Sequence, residues 1–201
     1  MTKSKVKLKQ KKSFKTRLKR YCILLAVVFG LILLITVIFY LFHLRINFTS
    51  SMPIGLYQEQ PKGNLKIGNY VEVCLPEYLA KEGMKNGYII KGICKNGSEP
   101  LIKELIATPQ DEVYLTDQDV LFVYEKDING KTLRFKRYRA PIQKQGLSGQ
   151  PIKQFVTVGT YHNDGYWVYG MYEWEYSWDS RYYGGIPYNS IISVVKPVWT
   201  I

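Results

Sequence analysis

The first 20 residues contain no aspartate or glutamate, and residues 21–42 contain no charged side chain of either sign. These two absences divide the chain. Residues 21–42 are long enough to cross a hydrocarbon core of roughly 30 Å as a helix. Ten of the 28 Lys and Arg residues precede them: Lys3, Lys5, Lys7, Lys9, Lys11, Lys12, Lys15, Arg17, Lys19 and Arg20. By the positive-inside rule this basic tail stays in the cytoplasm, and residues 43–201 lie across the bilayer. A cleaved signal peptide fits less well, because the run exceeds an h-region of about 7–15 residues and no small-x-small cleavage site follows it.

Histidine is scarce as well. His43 and His162 are the only two, far apart and without a motif around either. That leaves no metal-binding constellation and no obvious histidine base, and nothing in the chain calls for a cofactor. Cysteine is limited to Cys22, Cys74 and Cys94. Cys22 falls in the apolar run. Cys74 and Cys94 fall beyond it, where an oxidising compartment makes them a natural pair, although spacing alone does not establish the bond. The formal charge of +12 is concentrated in the tail, since residues 21–201 carry 18 basic against 16 acidic groups. The folded part therefore lacks the electrostatic footprint of a nucleic-acid binder, and the tail is explained by topology and by attraction to anionic lipid.

Residues 43–201 form one domain's worth of chain. Their many tyrosines, interleaved with Val, Ile and Trp, suit strands. Tyr70–Leu75 alternates as a strand. Glu77–Lys85 has helix-forming composition, and Gly92–Pro100 reads as loop. Leu101–Ala107 reads as a buried strand, followed by short strands at Val113–Leu115 and Val120–Tyr124. Asn129-Gly130 marks a hairpin before Leu133-Arg134-Phe135. Residues 139–153 are irregular. Val156–Val158 and Tyr166–Tyr169 flank a turn at Asp164-Gly165, and a last strand, Ile191–Val195, is expected to stop before Pro197. The expected fold is mainly β: an antiparallel β domain at 43–201, with a smaller inserted β region at about 117–160, behind one transmembrane helix at 21–42 and a basic tail at 1–20.

Ser51, just past the apolar run, is placed to meet substrates held at a membrane surface. A serine hydroxyl needs a base, and lysine is the known alternative to histidine. A lysine serves only when neutral, and burial can lower its pKa from about 10.4 by up to ~3–5 units. Most lysines here sit in polar loops. Lys103, within Leu101-Ile102-Lys103-Glu104-Leu105-Ile106, is embedded in apolar sequence; the competing reading is an edge-strand lysine directed at water.

Thr49-Ser50-Ser51-Met52-Pro53-Ile54-Gly55-Leu56-Tyr57 resembles the nucleophile box of the bacterial signal peptidase I family (S26) in its conjugative-transfer, TraF-type form. Leu101–Leu105 followed by Pro109-Gln110-Asp111-Glu112-Val113 resembles that family's lysine box. Ser177-Trp178-Asp179-Ser180-Arg181-Tyr182-Tyr183-Gly184 resembles its C-terminal box. Each box alone is weak; the ordered set, behind an anchor, is specific. The resemblance implies Ser51 as nucleophile and Lys103 as general base. It implies Thr49 and the Ser51 amide as the oxyanion hole, Ser177 as the residue orienting Lys103, Asp179 and Arg181 as a bracing ion pair, and Met52 and Ile102 as the lining of a shallow pocket for small side chains.

Two positions depart from the family pattern. Gln110 stands where a Pro-Gly-Asp turn has glycine, and Glu104 follows the lysine where a basic residue is frequent. One fewer residue between Met52 and Pro53, and no threonine after the proline, favour the conjugative type. The expected function is cleavage of leader peptides from exported precursors, a pilin or other conjugative-transfer substrate first, at the bacterial inner membrane. General signal peptidase activity is the alternative within the class, and a non-enzymatic ectodomain or a self-cleaving regulator the alternatives outside it. The expected partners are a precursor protein and the lipid bilayer; the oligomeric state is left open. Asn47-Phe48-Thr49 and Asn96-Gly97-Ser98 fit the glycosylation pattern, which in a bacterial protein is coincidental.

Overall fold

A computed structural model describes residues 2–146, 149–173, 175 and 177–201; the side chains of residues 2–15, which carry most of the basic tail, lie outside the described set. The chain divides into two units, residues 1–44 and 45–201. The first is helix α1, Thr2–Leu41. Its stretch Thr16–Leu41 is long and apolar enough to cross a membrane, and none of it is buried in protein. The helix therefore begins well before residue 21, because lysine and arginine favour helix almost as well as leucine does.

The second unit is built on a six-stranded sheet whose order is β1-β2-β10-β3-β4-β9. The strands are β1 Leu44–Asn47, β2 Gly55–Gln60, β3 Tyr70–Val73, β4 Leu101–Ala107, β9 Trp167–Tyr169 and β10 Ile191–Thr200. The resolved pairings are antiparallel. A second sheet, β7-β6-β5-β8, uses β5 Glu112–Leu115, β6 Val120–Lys126, β7 Thr132–Arg139 and β8 Tyr161–His162. It thus starts a strand earlier than residue 117. The hairpin between β6 and β7 turns at Gly130, whose φ is +78°, with Asp127 Oδ1 accepting from the Asn129 and Lys131 amides.

Helix α2, Glu77–Lys85, follows Pro76 and buries Leu79, Ala80 and Gly83. A Cβ at Gly83 would come within 2.6 Å of the Trp178 ring, so the glycine lets the helix sit against that indole. The main core joins α2 to β3, β4 and the segment 178–186 through Val71, Leu79, Leu105, Trp178 and Ile186. A second core, with Ile106, Val113, Leu121, Val123 and Trp167, lies between β4, β9 and the smaller sheet.

Two strand expectations change. Residues 156–158 are not a strand; β8 lies further on, at Tyr161–His162. The last strand does not stop at Pro197 but runs to Thr200. Its pairing with β3 ends at Val195, while pairing with β2 continues opposite Pro197 and slips between Pro197 and Trp199. Proline, which lacks an N–H, is tolerated at a position with one open side and beside a bulge. A disulfide joins Cys74 to Cys94 with Cα atoms 5.8 Å apart.

Candidate active site

Ser51 stands on the turn between β1 and β2. Every carbonyl from Thr49 to Ile54 accepts a hydrogen bond. Asn47 Nδ2 donates to the Thr49, Met52 and Pro53 oxygens at 2.9, 3.0 and 3.1 Å. The Glu173 amide takes Ser50 O (2.9 Å), the Tyr172 amide takes Ser51 O (3.1 Å), and the Ile201 amide takes Ile54 O (2.9 Å). The Tyr57 hydroxyl also donates to Pro53 O at 2.6 Å. At the far end of the turn Gly55 has φ +153°, and a Cβ there would lie 2.1 Å from Trp199 O; only glycine fits against β10 at that point. Among the described residues nothing accepts from the Ser51 amide.

Lys103 lies in β4 opposite Val71 of β3, between strands on both sides, and is 3% exposed. The edge-strand alternative is therefore not what the fold forms. Its Nζ donates to Ser177 Oγ at 2.7 Å. Burial brings its pKa down to about 8; the Asp179 carboxylate pulls it upward and the Arg181 guanidinium pushes it further down. Glu104, the neighbour in sequence, is not among the charges acting on Lys103. Burial raises its own pKa, and Lys136 lowers it.

The segment carrying Ser177 is fixed by a buried ion pair. Arg181 Nε and Nη2 donate to Asp179 Oδ1 and Oδ2 at 2.8 and 3.0 Å, and both residues are fully buried. The same guanidinium holds Ser177 O (2.9 Å) and Pro141 O (3.0 Å). Asp179 also caps the short helix α3, Ser180–Tyr183, and accepts from the Gly170 amide at 3.0 Å. Burial alone would raise the Asp179 pKa, but Arg181, Lys103 and the Gly170 N–H outweigh it and hold the carboxyl below its ordinary value. Opposing the desolvation in this way is what makes a buried pair tolerable.

Gly170 shows that the serines converge. A Cβ on it would lie 2.2 Å from Ser177 Oγ and 3.2 Å from Ser51 Cβ, so Ser51, Ser177 and the Lys103 amine surround one small volume. Among the described residues no hydrogen bond links Ser51 directly to Lys103. Met52 and Ile102 share a small buried cluster with Tyr57 and Val195. Ile102 also borders a cleft of about 240 Å³ with Phe48, Thr49, Ile90 and Pro100, whereas Met52 is fully buried and supports the turn from beneath. The Thr49 hydroxyl donates to Asn47 Oδ1 at 2.8 Å. Gln110 adopts no positive φ, so its turn does not require glycine; Asp111 secures it by accepting from the Thr108 amide and hydroxyl at 2.8 and 2.7 Å. Among the described residues no group of three His, Cys, Asp or Glu side chains is arranged for a metal ion.

Asn47 and Gly170 were not singled out by the sequence reading. The Asn47 signal was hidden in a glycosylation-like triplet. Gly170 follows directly on a strand, a pattern that signals close backbone approach.

A buried lysine of lowered pKa thus has one serine on its amine and a second serine on a turn close by. Residues 17–200 match the family described as signal peptidase, peptidase S26, and the chain belongs to that family. It is similar to a plasmid transfer protein TraF of Escherichia coli, 29% identical over 191 residues that cover 92% of this chain and 99% of the relative. A conjugal transfer protein TraF of Agrobacterium tumefaciens is 30% identical over 166 residues, covering 78% and 82%. A probable conjugal transfer protein TraF of Sinorhizobium fredii is 29% identical over 164 residues, covering 78% and 77%.

Proposed function

We propose that this protein is a membrane-anchored Ser/Lys endopeptidase that removes leader peptides from exported precursors, a pilin or another conjugative-transfer substrate among them. The observation that carries the reading is the Lys103 amine: buried, of lowered pKa and hydrogen-bonded to Ser177. Neutral Lys103 takes the proton of Ser51 Oγ as that oxygen attacks the scissile carbonyl carbon. The carbonyl oxygen, now negative, is received by the Ser51 N–H, joined by the Thr49 hydroxyl when its proton turns away from Asn47. The tetrahedral intermediate collapses with cleavage of the C–N bond, and the Lys103 ammonium returns its proton to the leaving amine. Water, deprotonated by the same lysine, then hydrolyses the acyl ester on Ser51.

Ser177 keeps the amine aimed, and Asp179 with Arg181 holds Ser177 in place. The cleft beside Ile102 receives the small side chain preceding the cut. The helix at Thr16–Leu41 anchors the enzyme with the basic end in the cytoplasm and residues 45–201 on the far side. Purified Ser51→Ala and Lys103→Ala proteins are expected to keep the wild-type melting temperature within a few degrees while losing precursor cleavage. Near-normal turnover in either folded variant would remove the dyad.

A further inference from the structure

We infer that Asn47 is a positioning residue for the nucleophile, holding the turn so that the Ser51 N–H stays directed at the reacting oxygen. This rests on the Ser/Lys reading above. Asn47 is 5% exposed, and its carboxamide is fully used. Oδ1 accepts from the Thr49 amide (3.1 Å) and the Thr49 hydroxyl (2.8 Å). Nδ2 shares its two protons among the carbonyls of Thr49, Met52 and Pro53, which flank Ser51 on both sides. A carboxamide has two donors and two acceptor lone pairs, so no capacity remains.

The peptides between these anchors are held from the other direction. Ser50 O is bound by the Glu173 amide and Ser51 O by the Tyr172 amide. In a trans peptide the N–H points opposite to the C=O of the same plane. The Ser50 carbonyl, fixed on Glu173, therefore turns the Ser51 N–H away from that segment, and among the described residues that N–H has no acceptor. Backbone pairing alone grips two consecutive carbonyls; Asn47 grips those before and after, and so stops the plane from rotating. It also sets the Thr49 hydroxyl, whose proton a substrate oxyanion must win from Oδ1.

A built-in comparison exists elsewhere in the fold. Asn96 caps Ser98 in the same manner, accepting from its amide at 3.1 Å and its hydroxyl at 2.8 Å, but among the described residues its Nδ2 reaches only Leu75 O. Both glycosylation-like triplets are thus local Asx caps, and only the first is wrapped around the serine turn. Its carboxamide is buried and cannot accept a glycan in the folded protein.

The test is steady-state cleavage of a precursor-derived peptide by the full-length protein in detergent, with kcat expressed per folded molecule. Asn47→Ala is expected to lower kcat about 10²-fold, the scale of losing one oxyanion donor. KM should stay within about threefold, and the pH midpoint set by Lys103 should not move. Asn47→Asp, which keeps the acceptor for Thr49 but turns a carboxylate oxygen on three carbonyls, should be at least as slow. Asn96→Ala should lower the melting temperature and leave kcat unchanged. Wild-type kcat in folded Asn47→Ala, or a loss matched by Asn96→Ala, would overturn the proposal. Should Asn47→Ala not fold, Asn47→Gln, with the same groups one methylene further out, is read by the same criteria. Parallel assays of Lys103→Ala separate the two levels. If that variant is inactive while Asn47 variants are normal, the Asn47 role alone falls; if it is active, the dyad falls and Asn47's role with it.

Discussion

Gly170 and Ser177 share a space that admits no further atom: a Cβ on the glycine would stand 2.2 Å from the serine Oγ and 2.5 Å from its Cβ. Both contacts come from a side chain whose position is fixed, because Arg181 holds Ser177 O and Lys103 donates to Ser177 Oγ. Gly170→Ala is therefore expected to displace Ser177 from the lysine and lower cleavage by at least ten- to a hundredfold, of the order seen when a positioned group moves by about 1 Å. Crowding should also destabilise by roughly 1–3 kcal/mol. Urea melts and peptide cleavage check both effects, and unchanged kinetics would mean that Ser177 does not orient the base.

Activity should follow the neutral fraction of Lys103. With its pKa held near 8 by burial, the rate at pH 7 should be about a tenth of the alkaline plateau and fall about tenfold for each unit below that. The profile of kcat/KM from pH 5 to 10 checks this, and a rate independent of pH from 5 to 9 would exclude lysine as base.

Glu72 introduces a separate pH dependence, in stability. It is 3% exposed, and burial first, then the hydrogen bond and charge of Glu59, raise its pKa to about 7 against the pull of Arg45 and Ser193. Arg45 pairs with Glu59 and lies 3.4 Å from Glu72. The folded state thus keeps a proton that the unfolded chain has released above the ordinary carboxyl value. The sign follows: this stabilising contribution is complete below about pH 4.5 and is lost as pH rises through about 7. In Glu72→Gln the melting temperature should vary less between pH 5 and 8 than in the wild type. Equal slopes would show that Glu72 is ionised throughout.

The Cys74–Cys94 bond closes a loop with a sequence separation of 20, for which the loop-entropy relation gives about 3 kcal/mol. The paired Cys74→Ser, Cys94→Ser variant should lose about that much in urea. Non-reducing peptide mapping of protein from its native envelope should recover the two cysteines as one linked peptide; free alkylated thiols would exclude the bond.

Helix α2 and strand β4 lie where composition places them, because Glu77–Lys85 and Leu101–Ala107 each carry an internally consistent local preference. The elements that were not legible depend on distant partners. β1 and β2 are short, and β2 exists because β10 lies against it. The run through Pro197 depends on which side of β10 is open, a property of the sheet rather than of the proline. Lys103 stood out by its apolar neighbours. The Asn47 carboxamide acts on residues up to six positions away, and its role became visible only once the turn closed around it. Ser177 and Gly170 meet through tertiary contact: a glycine directly after a strand signals a close approach but not which residue makes it.

Strand β10 lies between β2 and β3, and the Ile201 amide secures Ile54 at the end of the serine turn. A ribosome makes residues 191–201 after every other strand described here. The sheet that orders residues 49–55 is therefore complete only after that segment has been synthesised, and in the proposed topology exported. Ser51 and Lys103 are separated from the segment that completes their frame by about 90 to 150 residues of chain, and such distant pairings form late. A nascent or truncated molecule would carry both side chains without the frame that holds them, so the proposed dyad would be assembled only after synthesis and export.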